Sequence, residues 1–238
     1  MPAIEFTPGL TLNGVTPPLS LAAFRLIAFD MDSTLINIEC VDEIAAAAGR
    51  KAEVAAITEA AMRGEISDYK ESLRRRVALL AGVPVTALED VYRQRLQLNP
   101  GAEQLVRACQ RAGLKTLLVS GGFTFFTDRV CERLGLDFSR SNVLEAALGK
   151  LTGRMVDQPW GDICDGEEKK RMLLQTCGRL GLPPAQAIAV GDGANDLPMM
   201  AVAGLSVAYH AKPRVREQAH VAIDSGGLDR LLEVVHCP

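Results

Sequence analysis

Asp30 and Asp32 stand two residues apart directly after the apolar run Leu26-Ile27-Ala28-Phe29. Farther along, Ser120-Gly121-Gly122 follows Leu117-Leu118-Val119, and Gly191-Asp192-Gly193-Ala194-Asn195-Asp196 follows Ile188-Ala189-Val190. Each apolar run reads as a buried strand, and each polar stretch as the loop that ends it. In an open parallel sheet such loops converge at the carboxyl ends of the strands. Acids crowded there repel one another unless a cation sits among them, and ligands made only of oxygen select a hard ion such as Mg2+. A serine hydroxyl and unhindered glycine N–H groups at the start of a helix suit a tetrahedral anion. A divalent cation facing an anion is therefore the chemistry these residues can support.

The elements that position them follow from periodicity. Helical patterns come after two of the loops, at Phe123 to Leu134 and Asp196 to Ala203, and the repeated strand, loop and helix predict an α/β fold with a doubly wound parallel sheet. Gly204 to Ala208 and His220 to Ile223 read as further short strands around a helix from Pro213. Between the first two strands, residues 39–99 show only helical patterns, including Asp42 to Ala48 and Ser67 to Leu80, which predicts an inserted helical cap. A hairpin is expected between Val143 and Val156, turning at Gly149. Residues 1–24, rich in Pro, Gly and Thr, read as an extension lying on the main body. The expected organisation is thus an extension (1–24), a catalytic core (25–38 and 100–238) and a cap (39–99), without an internal repeat of fixed period.

Composition narrows the function. The 238 residues carry a net charge of −3, and the run Arg74-Arg75-Arg76 is too short to make a nucleic-acid surface. The six cysteines lack the close pairs of a zinc or thioredoxin-type site and read as reduced, mostly buried thiols. No basic segment followed by an apolar stretch opens the chain, and no run approaches the ~18 apolar residues of a membrane span. A cytoplasmic protein with a small-molecule partner is expected.

Asp30-Met31-Asp32-Ser33-Thr34-Leu35 resembles the DxDxT signature of haloacid dehalogenase superfamily phosphatases, and Gly191 to Asp196 resembles their GDGxND signature. With a serine motif and a basic residue between them in the same order, the match implies a Rossmann-like core and an Mg2+-dependent phosphatase. By that resemblance Asp30 is the nucleophile, forming an aspartyl-phosphate, and Asp32 is the general acid and base. Metal ligation falls to the Asp30 side chain, the Asp32 main-chain carbonyl and Asp192. Lys169, 23 residues before Asp192, matches the lysine that holds a phosphate oxygen, with Lys170 as the competing assignment. Ser120 and Gly121 would bind phosphate, Asn195 the phosphate or leaving group, and Asp196 would fix the loop and Lys169.

Asp30 to Glu43, Met62 to Val77, Val119 to Gly122 and His210-Ala211-Lys212-Pro213 are similar to the branch of the superfamily that hydrolyses phosphoserine. This implies the last step of serine biosynthesis, with Glu39 meeting the substrate ammonium and Arg76 gripping its carboxylate. Two departures stand out. The chain is one residue longer than the family pattern between Met62 and Ser72, and Tyr69 replaces the usual phenylalanine, its hydroxyl expected to face solvent without changing function. The 24-residue arm is too short for the regulatory ligand-binding domain some members carry, so no feedback site of that kind is expected. A phosphatase of another small phosphomonoester, or a phosphotransferase using phosphoserine, shares the chemistry. A signalling receiver domain does not, because it has no acid two residues beyond its acceptor aspartate and no helical cap.

Overall fold

A computed structural model describes residues 3–62, 66 and 68–236. The chain opens with strands β1 (Ile4–Thr7), β2 (Leu10–Leu12), β3 (Leu19–Ser20) and β4 (Leu26–Phe29). Helices α1 (Cys40–Ala47), α2 (Lys51–Met62), α3 (Tyr69–Ala78), α4 (Thr86–Gln94) and α5 (Ala102–Arg111) follow. Next come β5 (Lys115–Phe123), α6 (Thr124–Leu134), β6 (Phe138–Ala147), β7 (Lys150–Val156) and α7 (Gly166–Leu180). The chain ends with β8 (Ala187–Gly191), α8 (Leu197–Met200), β9 (Leu205–Tyr209), α9 (Pro213–Gln218), β10 (Val221–Ile223) and β11 (Val235–His236). Cys237 and residues 63–65 and 67, where the extra cap residue is expected, lie outside the described residues.

Nine strands form one sheet in the order β1-β2-β10-β9-β8-β4-β5-β6-β7. The strands from β10 to β6 pair in parallel. At the middle, β4 pairs with β8 on one side (Leu26 opposite Ala187) and with β5 on the other (Leu26 opposite Lys115). Alternation along β4 sends Ile27 and Phe29 into one buried cluster and Leu26 and Ala28 into the other. Apolar layers thus cover both faces, which is why the strand reads as an unbroken apolar run.

The N-terminal residues do more than lie on the body. β2 pairs antiparallel with β10, burying Leu10 and Leu12, and β1 pairs with β2. A three-residue Leu-Thr-Leu strand is too short for its alternation to stand out, so only pairing with β10 reveals it. β5 also differs from expectation: it does not end at Val119 but continues to Phe123 across a register shift against β6, which pushes Ser120-Gly121-Gly122 out of the ladder. The β6–β7 hairpin turns at Leu148 and Gly149, both with positive φ (51° and 75°). It reaches the helical insertion: the N–H of Gly82 donates to Leu151 O, and that of Leu151 to Val83 O, each at 2.8 Å.

The two chain crossings into and out of the helical insertion lie side by side. Asn37 N–H donates to Gln97 O at 3.0 Å, and Ile36 bridges Leu98. Asn99 ties this crossing to the loop after β4, since its Nδ2 donates to Thr34 O at 2.8 Å and Ile36 O at 3.0 Å. Asn99→Ala strands these carbonyls. It is expected to cost about 1–3 kcal/mol in urea unfolding with an unchanged m-value, and a loss within experimental error would refute the bracing role.

Candidate active site

β4 delivers Asp30 to the centre of the sheet edge, where its N–H donates to Val190 O at 3.0 Å and its Oδ1 accepts from Met31 N at 2.7 Å. The chain then winds one wide turn over Met31–Leu35, closed by Ile36 N donating to Met31 O, with Ser33 in the left-handed region at φ 57°. Because β4 ends at Phe29, Asp32 is positioned by this turn and not by the strand. Asp32 Oδ2 accepts from Cys40 N at 3.2 Å, and its Oδ1 lies 3.1 Å from Cys40 Sγ. Burial and the Glu39 charge push Asp32 up to about 7, so a large share of it holds a proton at neutral pH. Thr34 Oγ1 donates to Asp192 Oδ1 at 3.2 Å, giving the threonine of the first motif a clear task.

Lys169, wholly buried in the first turn of α7, holds the site together. Its Nζ lies 2.7 Å from Asp30 Oδ1 and 2.7 Å from Asp196 Oδ1. Lys170 instead turns outward toward Glu167, at 3.5 Å. The other oxygen of Asp196 accepts from Gly193 N at 3.0 Å and Asp192 N at 3.2 Å. A Cβ on Gly191 would fall 2.3 Å from Asp196 Cγ, so this loop closes only over a glycine.

Oxygens of Asp30, Asp192 and Asp196 lie within 4.8 Å of one another, a cluster able to hold a metal ion. Asp196 is committed to Lys169 and to backbone N–H groups, which leaves Asp30 and Asp192 as the carboxylates open to a cation. Burial, with Asp196 and Glu39 adding, pushes Asp192 up to about 7. Burial and the Asp196 and Asp192 charges likewise raise Asp30, with Lys169 opposing. Carboxylates strained this way by burial and mutual repulsion, with oxygen the only donor, fit a hard divalent ion.

Opposite them, Ser120 Oγ accepts from Gly122 N at 2.9 Å. A Cβ on Gly122 would lie 3.3 Å from Asp32 Oδ2, so the serine loop and the second aspartate face each other closely. Asn142 braces the loop, donating to Gly121 O at 2.7 Å and accepting from Cys164 N at 2.8 Å. Nothing in the sequence marks Asn142, because its role depends on the shifted β5–β6 register. Asn195 lies beside Gly193 on the loop after β8. Glu39 is exposed, with Oε1 accepting from Ser33 Oγ at 2.7 Å. Arg76 projects from α3, half-buried, and its Nε and the Oδ1 of Asp42 on α1 are buried without hydrogen-bond partners among the described residues. Tyr69 departs from expectation, since its hydroxyl lies against Gly121 and does not face solvent.

The family model of haloacid dehalogenase-like hydrolases matches residues 24–204. The chain belongs to this family. This haloacid dehalogenase-like hydrolase is 76% identical over 235 residues to a phosphoserine phosphatase of Polaromonas sp., covering 99% of this chain and 100% of that protein. It is 72% identical over 227 residues to a phosphoserine phosphatase of Albidiferax ferrireducens, covering 95% and 96%. A substrate-bound phosphoserine phosphatase structure superposes with a TM-score of 0.82 at 37% identity, over 89% of this chain and 98% of that one.

Removing the buried ammonium leaves two carboxylates facing each other without compensation. Lys169→Met is expected to cost about 3–5 kcal/mol of folding stability at neutral pH in denaturant titrations. Unchanged stability would mean that the ion-pair network does not hold the site together.

Proposed function

We propose that this hydrolase is a phosphoserine phosphatase, converting O-phosphoserine to serine and phosphate through an aspartyl-phosphate on Asp30. The observation that carries the reading is Asp30 held by Lys169, together with Asp32, whose carboxyl burial raises toward neutrality where it faces the serine loop. The identity to named phosphoserine phosphatases supports the substrate. In the first half-reaction an Asp30 oxygen bonds to phosphorus as the bond from phosphorus to the seryl oxygen breaks, and the Asp32 proton passes to that oxygen. In the second, Asp32 takes a proton from water as the water oxygen bonds to phosphorus and releases Asp30. Lys169, Ser120 and the N–H of Gly121 hold the phosphoryl oxygens, with Asn195 at the phosphate or the leaving group. Asp30, Asp192 and the Asp32 main-chain carbonyl would hold Mg2+, which when bound offsets the repulsion between carboxylate and phosphate.

Residues 39–99 are the cap that selects the substrate, over a core of 25–38 and 100–238 extended by 1–24. Glu39 at the start of α1 meets the ammonium, and the Arg76 guanidinium meets the carboxylate. The cap thereby makes the enzyme a reader of the amino-acid end of its substrate. Among the described residues no helix is long and apolar enough to cross a membrane. We place the enzyme in the cytoplasm, at the step that releases serine.

Phosphate release with Mg2+ present tests the reading. Phosphoserine should have a higher kcat/KM than phosphoethanolamine or a sugar phosphate, unaffected by added alcohols, and Asp30→Asn should abolish turnover while the fold survives. Catalysis of phosphomonoester hydrolysis is so large that more than about a tenth of normal activity in this variant would sink the covalent route. A panel led by another substrate would instead overturn the specificity alone.

Arg76→Ala should lower kcat/KM for phosphoserine by roughly 10²-fold, about 3 kcal/mol, because the substrate carboxylate is left unpaired under the cap. Phosphoethanolamine has no carboxylate and should be affected far less. Equal losses for the two would remove Arg76 from substrate reading.

A further inference from the structure

Tyr69 is the first residue of α3, and its side chain spans from the cap to the serine loop of the core. A Cβ built on Gly121 would fall 1.9 Å from Tyr69 Oη and 3.2 Å from Cζ. The phenolic oxygen therefore occupies the space that a side chain at position 121 would need. The ring packs against the main apolar cluster, so its direction is set by burial. Charges on Lys169, Arg76 and Asp30 act on the hydroxyl, and burial raises it, which keeps the phenol protonated and able to donate. The hydroxyl thus sits beside Gly121 within the field of these charged groups. A partly accessible donor beside the serine loop is free to bond whatever occupies the site.

We propose that Tyr69 contacts the substrate directly, its hydroxyl donating a hydrogen bond to a non-bridging oxygen of the phosphoryl group held over Gly121. The inference rests on the reading of this site as one for phosphomonoesters. The phosphoryl group is the better acceptor than the substrate carboxylate for two reasons. The hydroxyl lies on the backbone of the very glycine whose N–H belongs to the phosphate cradle, and Lys169 is foremost among the charges acting on it. Because Tyr69 belongs to the cap and Gly121 to the core, this bond also makes the cap sense phosphate occupancy. The following residues fasten α3 in that pose: Lys70 Nζ lies 2.7 Å from Asp162 Oδ1 and 3.6 Å from Asp165 Oδ2, and Arg74 also pairs with Asp162.

Tyr69→Phe keeps the ring and removes only the donor. Its kcat/KM is to be measured on phosphoserine, phosphoethanolamine and p-nitrophenyl phosphate with Mg2+, with circular dichroism confirming the fold at the assay temperature. A hydrogen bond to a charged acceptor corresponds to about a tenfold loss or more, expected on all three substrates because all carry the phosphoryl group. A loss confined to phosphoserine would put the hydroxyl on the carboxylate and overturn the proposal. Values within about twofold of the unaltered enzyme on all three would overturn it too. If the unaltered enzyme hydrolyses p-nitrophenyl phosphate and not phosphoserine, the substrate assignment fails, and the p-nitrophenyl phosphate comparison still decides the role of Tyr69.

Discussion

The buried ammonium of Lys169 is the constraint on which the rest of the site depends. It lies between Asp30, at the end of the central strand, and Asp196, in the loop after β8. A lysine fully removed from water is costly unless both its charge and its protons are answered, and here two carboxylates do so. The same contacts join three separate stretches of chain, because Lys169 comes from α7, Asp30 follows β4 and Asp196 follows β8. Asp196 then uses its remaining oxygen to hold two backbone N–H groups of its own loop. Charge compensation and loop geometry are in this way a single requirement.

From that point outward, each loop at the sheet edge is braced by a polar side chain from a neighbouring segment. Thr34 reaches Asp192, Asn142 holds the Gly121 carbonyl, and Asn99 holds carbonyls of the turn after β4. Loops are otherwise the least constrained parts of a fold, and a reaction at phosphorus needs its groups placed to fractions of an ångström. Buried amide and hydroxyl contacts supply that rigidity without adding charge. The acids that remain available, Asp30 and Asp192, are left under repulsion that a divalent cation relieves.

The helical insertion works on a different principle. Besides apolar residues such as Leu73 and Val77 that join the main cluster, it is attached by partly exposed ion pairs of Lys70 and Arg74 with Asp162 and by main-chain bonds to Leu151. The ion pairs are individually weak and screened by salt, so they add less to this attachment than the apolar packing does. Arg76 and Tyr69 lie on this insertion, Arg76 with a buried Nε that no described residue answers and Tyr69 with its hydroxyl against Gly121.

Much of this was legible in the residues alone. Apolar runs such as Leu26-Ile27-Ala28-Phe29 announce buried parallel strands, since only a strand covered on both faces dispenses with polar alternation. The acids that close those runs must then share an edge, and their spacing carries the family resemblance. Lys169 was likewise singled out, but its burial was not, because a lysine beside Glu167, Glu168 and Lys170 looks like a solvated helix start. Tertiary structure alone decided four further matters. β1 and β2 extended the sheet at one edge because β10 offers a free ladder to β2, a contact more than 200 residues away in sequence. The serine loop bulged from β5 because the β6 register shifts there, which also gave Asn142 its task. Asp32 was placed against Cys40 and the serine loop by a wide turn containing a left-handed Ser33, a conformation that no local preference of serine foretells. Tyr69 turned inward because the glycine at 121 leaves room for its hydroxyl and the core buries its ring. Local pattern reports which faces of an element avoid water; which distant residue fills a given space depends on packing between elements far apart in the chain.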